Sequence, residues 1–166
     1  MLFLGFTAAY LVRRGQPDWV PGPLPGALWF NTAVLVLSSA ALEWGRRRGQ
    51  TGRVSDQVRA YMVAALLGTV FLAGQLAAWR QMVAAGWYLQ TNPHSSYFYV
   101  LTAVHGLHVG AGLSWLSVAA WRLKRARPGR DPEGAGPQVM AGAAGVFWHF
   151  MAVLWLYVFA LLSVMA

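Results

Sequence analysis

Three histidines carry most of the chemical potential in this chain of 166 residues. His105 and His108 stand three apart, so on a helix they share a face. At 1.5 Å per residue they lie roughly 14 to 18 Å from one end of the apolar run that holds them. His149 lies about ten residues into the final apolar run. All three are near mid-membrane depth and could meet if the two runs pack together. Neutral imidazoles there could ligate a metal or a haem iron, or they could hydrogen-bond between helices. No carboxylate or thiolate lies nearby to complete a metal shell, and Gly106, Gly110 and Gly112 suggest close helix packing around the pair. The interhelical reading is therefore the expectation for His105, His108 and His149.

Other polar side chains inside apolar runs fit the same reading. Asn31, Thr32, Ser38, Ser39 and Gln75 need partners in lipid and are expected to form interhelical hydrogen bonds. Glu43 lies at one end of its run, where Arg46 or Arg47 can reach it at helical spacing. The expected result is an interfacial ion pair of small worth; the alternative is proton entry or contact with a lipid headgroup. No nucleophile–base pair, phosphate-binding glycine loop or paired carboxylates can be assembled. No residue is assigned a catalytic, cofactor-binding or metal-ligating role.

The elements that position these groups follow from composition. Hydrophobic residues make up 57% and charged residues 11%, against roughly 25% charged in a soluble domain. A soluble domain of this size cannot hide so much apolar surface. The nine Trp and eighteen Gly suit a membrane protein, because aromatics gather at interfaces and glycine is frequent in membrane helices. Cysteine is absent, which excludes disulfides, thiolate metal sites and thiol catalysis. The +8 formal charge is clustered between apolar runs, which points to topology rather than to nucleic acid.

Charges and Pro/Gly punctuation divide the chain into one transmembrane domain, 1–166, of about five helices: 1–12 (partial), 27–44, 60–79, 96–121 and 139–166. The last four approach or exceed the roughly 20 residues that cross a hydrocarbon core. Twelve helical residues rise only about 18 Å, so either the chain begins upstream of Met1 or this helix enters only part of the membrane; the family resemblance given below favours the former. No cleavable signal peptide is apparent. Ten of the thirteen basic residues fall in the connectors 2–3 and 4–5, and the positive-inside rule puts that side in the cytoplasm. The fold expected is an all-α polytopic bundle with the N-terminus cytoplasmic and the C-terminus outside. The four prolines of Gly15–Gly26 predict a stiff loop over the membrane surface, and the connector Arg127–Pro137 reads as mobile.

Taken in order, these stretches resemble the subunit III family of haem–copper oxidases, in its short bacterial five-helix form. SYFYVLTAVHGLHVGAGL (Ser96–Leu113) resembles the family's FxxLTxxHGxHVxxGL motif, and FWHFMAVLWLYVF (Phe147–Phe159) its YWHFVDxxWLxLF motif. LPGALWFNTAVLVLSSA (Leu24–Ala40), GTVFLAGQLAAW (Gly68–Trp79) and MLFLGFTAAYLVRR at the start match further family helices, all collinear. Ala78 stands where the family often has Glu, and Ala152 where it often has Asp, which removes groups through which a proton-antenna role would be assigned.

The resemblance implies an accessory, non-catalytic subunit of an oxygen-reducing, proton-translocating terminal oxidase in the respiratory chain. Such a subunit has no redox centre of its own. It packs on subunit I, which bears the haem and copper, with subunit II in the same complex, and holds structural phospholipid in a cleft between helix groups. It would be a multi-pass protein of the bacterial cytoplasmic (inner) membrane, with no nucleic-acid partner. Two alternatives remain: an accessory subunit of a nitric-oxide reductase-type complex, and a small membrane transporter with the histidines lining a path. The transporter finds no support in inverted repeats or interrupted helices.

Overall fold

The computed structural model describes residues 2–17, 19, 22–90, 93–126 and 136–164. These form five helices: α1 (Leu2–Arg14), α2 (Ala27–Gln50), α3 (Val54–Ala84), α4 (Pro93–Arg125) and α5 (Gly136–Val164). The helices outrun the apolar segments, mostly at the ends rich in arginine. Apolarity measures contact with lipid, whereas i to i−4 hydrogen bonding continues into water at little cost. Basic residues then favour helix C-termini, where they meet the negative end of the dipole. Arg47 and Arg48 close α2, and Arg122, Lys124 and Arg125 close α4.

Backbone geometry sets the stops. Gly52 adopts φ +80° and lets the chain reverse within residues 51–53, with the Arg53 N–H donating to the Arg48 carbonyl (3.0 Å). Gly86 at φ +81° does the same after α3, where the Trp87 N–H donates to the Met82 carbonyl (2.9 Å). Pro93 opens α4 at the position where its missing N–H costs nothing.

Cross-helix contacts define an alternating bundle. In α2 and α3 the close pairs run from Gly45 with Ala60, through Ser38 with Ala64, to Asn31 with Gln75. That order is antiparallel. Trp79 with Thr102 and Gly68 with Leu113 set α4 antiparallel to α3. His105 with Trp155 and Gly112 with Trp148 set α5 antiparallel to α4, and Trp148 with Ser38 and Trp29 with Phe159 close α5 onto α2. The C-termini of α2 and α4 and the N-termini of α3 and α5 therefore share one end, here the arginine-rich end. α1 runs antiparallel along α4, with Phe3 against His108 and Tyr10 against Tyr97.

The core is mainly apolar, but polar side chains are also turned inward and large apolar ones outward. Asn31, Ser38, Gln57, Gln75, Thr102 and His105 are buried, whereas Leu107 and Val146 are 75% and 72% exposed. Outward apolar and inward polar side chains are what lipid demands. By length and composition α2, α3 and α5 can cross a membrane. α4, at 33 residues, is long enough, but its apolarity is diluted by polar groups turned inward.

The described parts of the proline-rich connector sit over the end opposite the arginines. Trp19 packs edge-on against Tyr10 and His94 (5.0 and 5.6 Å between ring centroids), and Gly22 abuts His94 and Trp87. Asp18, Val20 and Pro21, like residues 127–135 of the second connector, lie outside the described residues.

Candidate functional site

The polar residues form tiers of cross-links between helices. At the arginine-rich end Gln57 and Gln138 exchange reciprocal amide bonds (3.1 Å each), and the Tyr61 hydroxyl donates to the Ala141 carbonyl (2.8 Å). Above them the Trp148 indole N–H donates to Ser38 Oγ (3.1 Å), whose own hydroxyl donates to the Ala64 carbonyl (2.8 Å). One chain of bonds thus joins α5, α2 and α3. Further up, the Trp155 indole donates to Thr32 Oγ1 and the Trp79 indole to Thr102 Oγ1 (3.0 Å each). Trp148 and Trp155 are fully buried, so these two tryptophans belong to the bundle interior rather than to an interfacial belt.

The three sequence-predicted histidines take three different environments. His105 is fully buried, with Trp155 tilted across it (5.1 Å between centroids) and Phe71 edge-on (5.7 Å). Neither of its ring nitrogens has a hydrogen-bond partner, so it is held by ring packing rather than by the expected interhelical hydrogen bond. His108 lies 2.7 Å through Nδ1 from the Val104 carbonyl of its own helix. A carbonyl only accepts, so this places the proton on Nδ1, and the ring turns toward Phe3 of α1. Positions three apart are rotated 60° about the helix axis, enough to send one ring into the core and the other toward α1. His149 Nδ1 meets Ser39 Oγ of α2 at 2.5 Å, and its Nε2 lies 3.8 Å from Glu43 Oε2. Among the described residues no three His, Asp or Glu side chains come together closely enough to hold a metal ion.

Glu43 accepts from Arg46 Nε and Nη2 (2.7 and 2.8 Å) and from Arg47 Nε (2.8 Å). With His149 and Ser39 these groups make a charged cluster linking α2 to α5 at the arginine-rich end. Arg47 is 72% exposed along its side chain, and pairs of that kind contribute little.

Asn31 and Gln75 face each other across α2 and α3, with the Asn31 amide 3.4 Å from Gln75 Oε1. Gly74 makes this possible, since a Cβ there would overlap the Asn31 amide. Asn31 Oδ1 and Gln75 Nε2 are left without partners. Either single Leu substitution should destabilise the bundle by about 1 kcal/mol by stranding the remaining amide. The double Asn31→Leu/Gln75→Leu variant should recover much of that loss. Unfolding titrations in mixed detergent micelles measure all three, and a double variant as weak as both losses added would refute the pairing.

The glycines beside the histidines are not alike. Gly112 lies under Trp148 and Phe147, and Gly106 has only Leu72 at 3.8 Å. Gly110 faces open space, so the close packing expected there is confined to Gly112. The sequence reading also passed over His94, which falls before the apolar run. It is buried between Trp19 and Trp87 without a hydrogen-bond partner; Pro93, as a helix-start signal, would have placed it inside α4.

The family described as cytochrome c oxidase subunit III matches residues 21–165. Cytochrome c oxidase subunit 3 of Thermostichus vulcanus is 32% identical, over 99% of this chain and 81% of the relative. That of a Synechocystis strain is 33% identical over 96% and 68%, and a probable cytochrome c oxidase subunit 3 of Nocardia farcinica is 32% identical over 96% and 79%. Matches of this extent, collinear with the five helices, show that the chain belongs to the cytochrome c oxidase subunit III family, an accessory component of multi-subunit terminal oxidases.

Proposed function

We propose that this chain packs on the haem- and copper-bearing subunit I of a terminal oxidase, with subunit II in the same assembly, and stabilises it during turnover. The family match over residues 21–165 carries this reading. The bundle supports it with an apolar exterior broad enough to seat a larger membrane subunit. In this reading the redox centres belong to the partner, and His105 and His108 serve the packing of this bundle. The arginine-rich end faces the cytoplasm of a bacterial inner membrane, in keeping with the positive-inside rule and the bacterial relatives. Structural phospholipid sits between helix groups, and Arg46 and Arg47 lie at headgroup depth.

An affinity tag on this chain, used in mild detergent, should bring down a much larger, His-rich membrane subunit. The complex should carry a haem spectrum and consume oxygen, and the isolated chain should show no Soret band. Nitric-oxide consumption in place of oxygen consumption would move the chain to the alternative complex. His149→Leu cuts the tie to Ser39 and should lower the yield of assembled complex several-fold, with oxygen consumption per haem unchanged. Normal assembly with abolished turnover would overturn the structural role of His149. His105→Leu should cost less, because its ring nitrogens have no bonds to lose.

A further inference from the structure

The half of the α3–α4 seam away from the arginines holds an apolar trough of about 370 Å³ that opens outward. Leu76 and Leu107, 54% and 75% exposed, form its rims. Ala103 and Gly106 keep the α4 wall low. Three polar side chains border the trough, and two of them are satisfied. The Trp79 indole donates to Thr102 Oγ1 (3.0 Å), and the Thr102 hydroxyl donates to the Phe98 carbonyl (2.7 Å). Gln75 is the exception. It is only 3% exposed, its Oε1 takes the Asn31 amide at 3.4 Å, and its Nε2 has no partner. A donor left this way in hydrocarbon has lost water and gained nothing in return. The terminal torsion of glutamine is soft, so the N–H can turn toward an acceptor laid in the trough.

The depth of Gln75 decides what that acceptor belongs to. Gln75 lies four residues inside Trp79, about 6 Å at 1.5 Å per residue, and within the apolar run 60–79. Acyl chains at that depth carry no hydrogen-bonding oxygen, so surrounding lipid leaves the amide as it is. A second copy of this chain, related by a two-fold axis along the membrane normal, would present the same patch at the same depth. That patch offers Leu72, Leu76, Ala103 and Leu107, none with a side-chain acceptor. A helix of another polypeptide can supply one, and the small residues of the α4 wall let its backbone come close.

We propose that the α3–α4 trough seats one membrane helix of the larger, haem-bearing oxidase subunit, and that a side-chain oxygen of that helix, hydroxyl or amide, accepts from Gln75 Nε2. The inference rests on the reading that this chain packs on that subunit, and it names the face that does so.

The test puts benzoylphenylalanine in place of Leu107 in the purified complex, kept in mild detergent. Irradiation should join this chain to the haem-bearing subunit. Mass spectrometry should place the link on one transmembrane helix, within a turn of a Ser, Thr, Asn or Gln. A link to a second copy of this chain, to lipid alone, or to a helix without such a side chain would overturn the proposal. Gly106→Leu fills the trough, and its Cβ meets only Leu72 at 3.8 Å. The isolated chain should therefore unfold at an unchanged denaturant midpoint, while the yield of assembled complex falls at least about tenfold. Asn31→Leu/Gln75→Leu removes the donor together with its internal partner, and haem retained per chain should fall about fivefold. Undiminished assembly of either variant would also overturn the proposal. Failure of the oxidase reading has a different signature: the unaltered, tagged chain would then bring down no haem and no oxygen consumption.

Discussion

Trp148→Ala should lower the stability of the bundle by about 3–5 kcal/mol, the largest loss from any single truncation. Trp148 is fully buried and lies in a notch where Gly68 of α3 and Gly112 of α4 bring their backbones against the ring. In lipid the hydrophobic effect does not drive helices together, so association depends on dispersion contacts and a few hydrogen bonds. An indole seated on two glycines maximises the first, and its N–H bond to Ser38 supplies the second. Trp148→Phe should separate the two contributions. It keeps most of the contact and loses the bond, at a cost near 1 kcal/mol. Reversible unfolding in mixed micelles gives both numbers, and a Trp148→Ala loss no greater than that of Trp148→Phe would show that the notch does not hold the helices together.

Gly45→Leu should be the most damaging enlargement, costing about 3 kcal/mol or more. A Cβ on Gly45 would fall far inside contact distance of the Cβ of Ala60 on α3. Neither atom can swing aside, because each is fixed to its backbone, so α2 and α3 would have to part. The three-residue turn 51–53 holds these ends together and leaves little room to adjust. Gly110→Ala is the matched control. Nothing lies within 4 Å of the added carbon, and the gain in helix propensity, up to about 1 kcal/mol, should leave the protein unchanged or slightly more stable. Gly45→Leu, Gly45→Ala and Gly110→Ala are compared by the same titration and by yield of assembled complex; equal behaviour of Gly45→Ala and Gly110→Ala, or a small loss for Gly45→Leu, would remove close approach as the reason for Gly45.

The number and order of helices were legible because each must bury about the same apolar length in a bilayer. Their ends were not. Arg46, Arg47 and Arg48 read as connector because they are charged, yet they are the last turns of α2, which ends only where Gly52 takes a left-handed conformation. The polar residues that tie helices could be picked out from their cost in lipid, as Asn31, Ser38 and Gln75 show. Partner choice could not, because it depends on rotation about each axis. His105 and His108 share a sequence face but are 60° apart, and the bundle divides them between core and α1. Trp148 and Trp155 were hidden by the habit of tryptophan to lie at interfaces; only the glycines opposite Trp148 hint at an interior place for it.

The inward polar face of α4 has a consequence for biogenesis. A helix carrying His94, Thr102 and His105 toward its neighbours is a poor substrate for solitary release from the translocon, since those groups would meet acyl chains first. α3 emerges before it and supplies Trp79 for Thr102 and Phe71 for His105. The two helices are thus suited to leave the translocon as a hairpin, and α5 arrives last to cover His105 with Trp155. The order of synthesis is also the order in which each helix finds the shelter it needs.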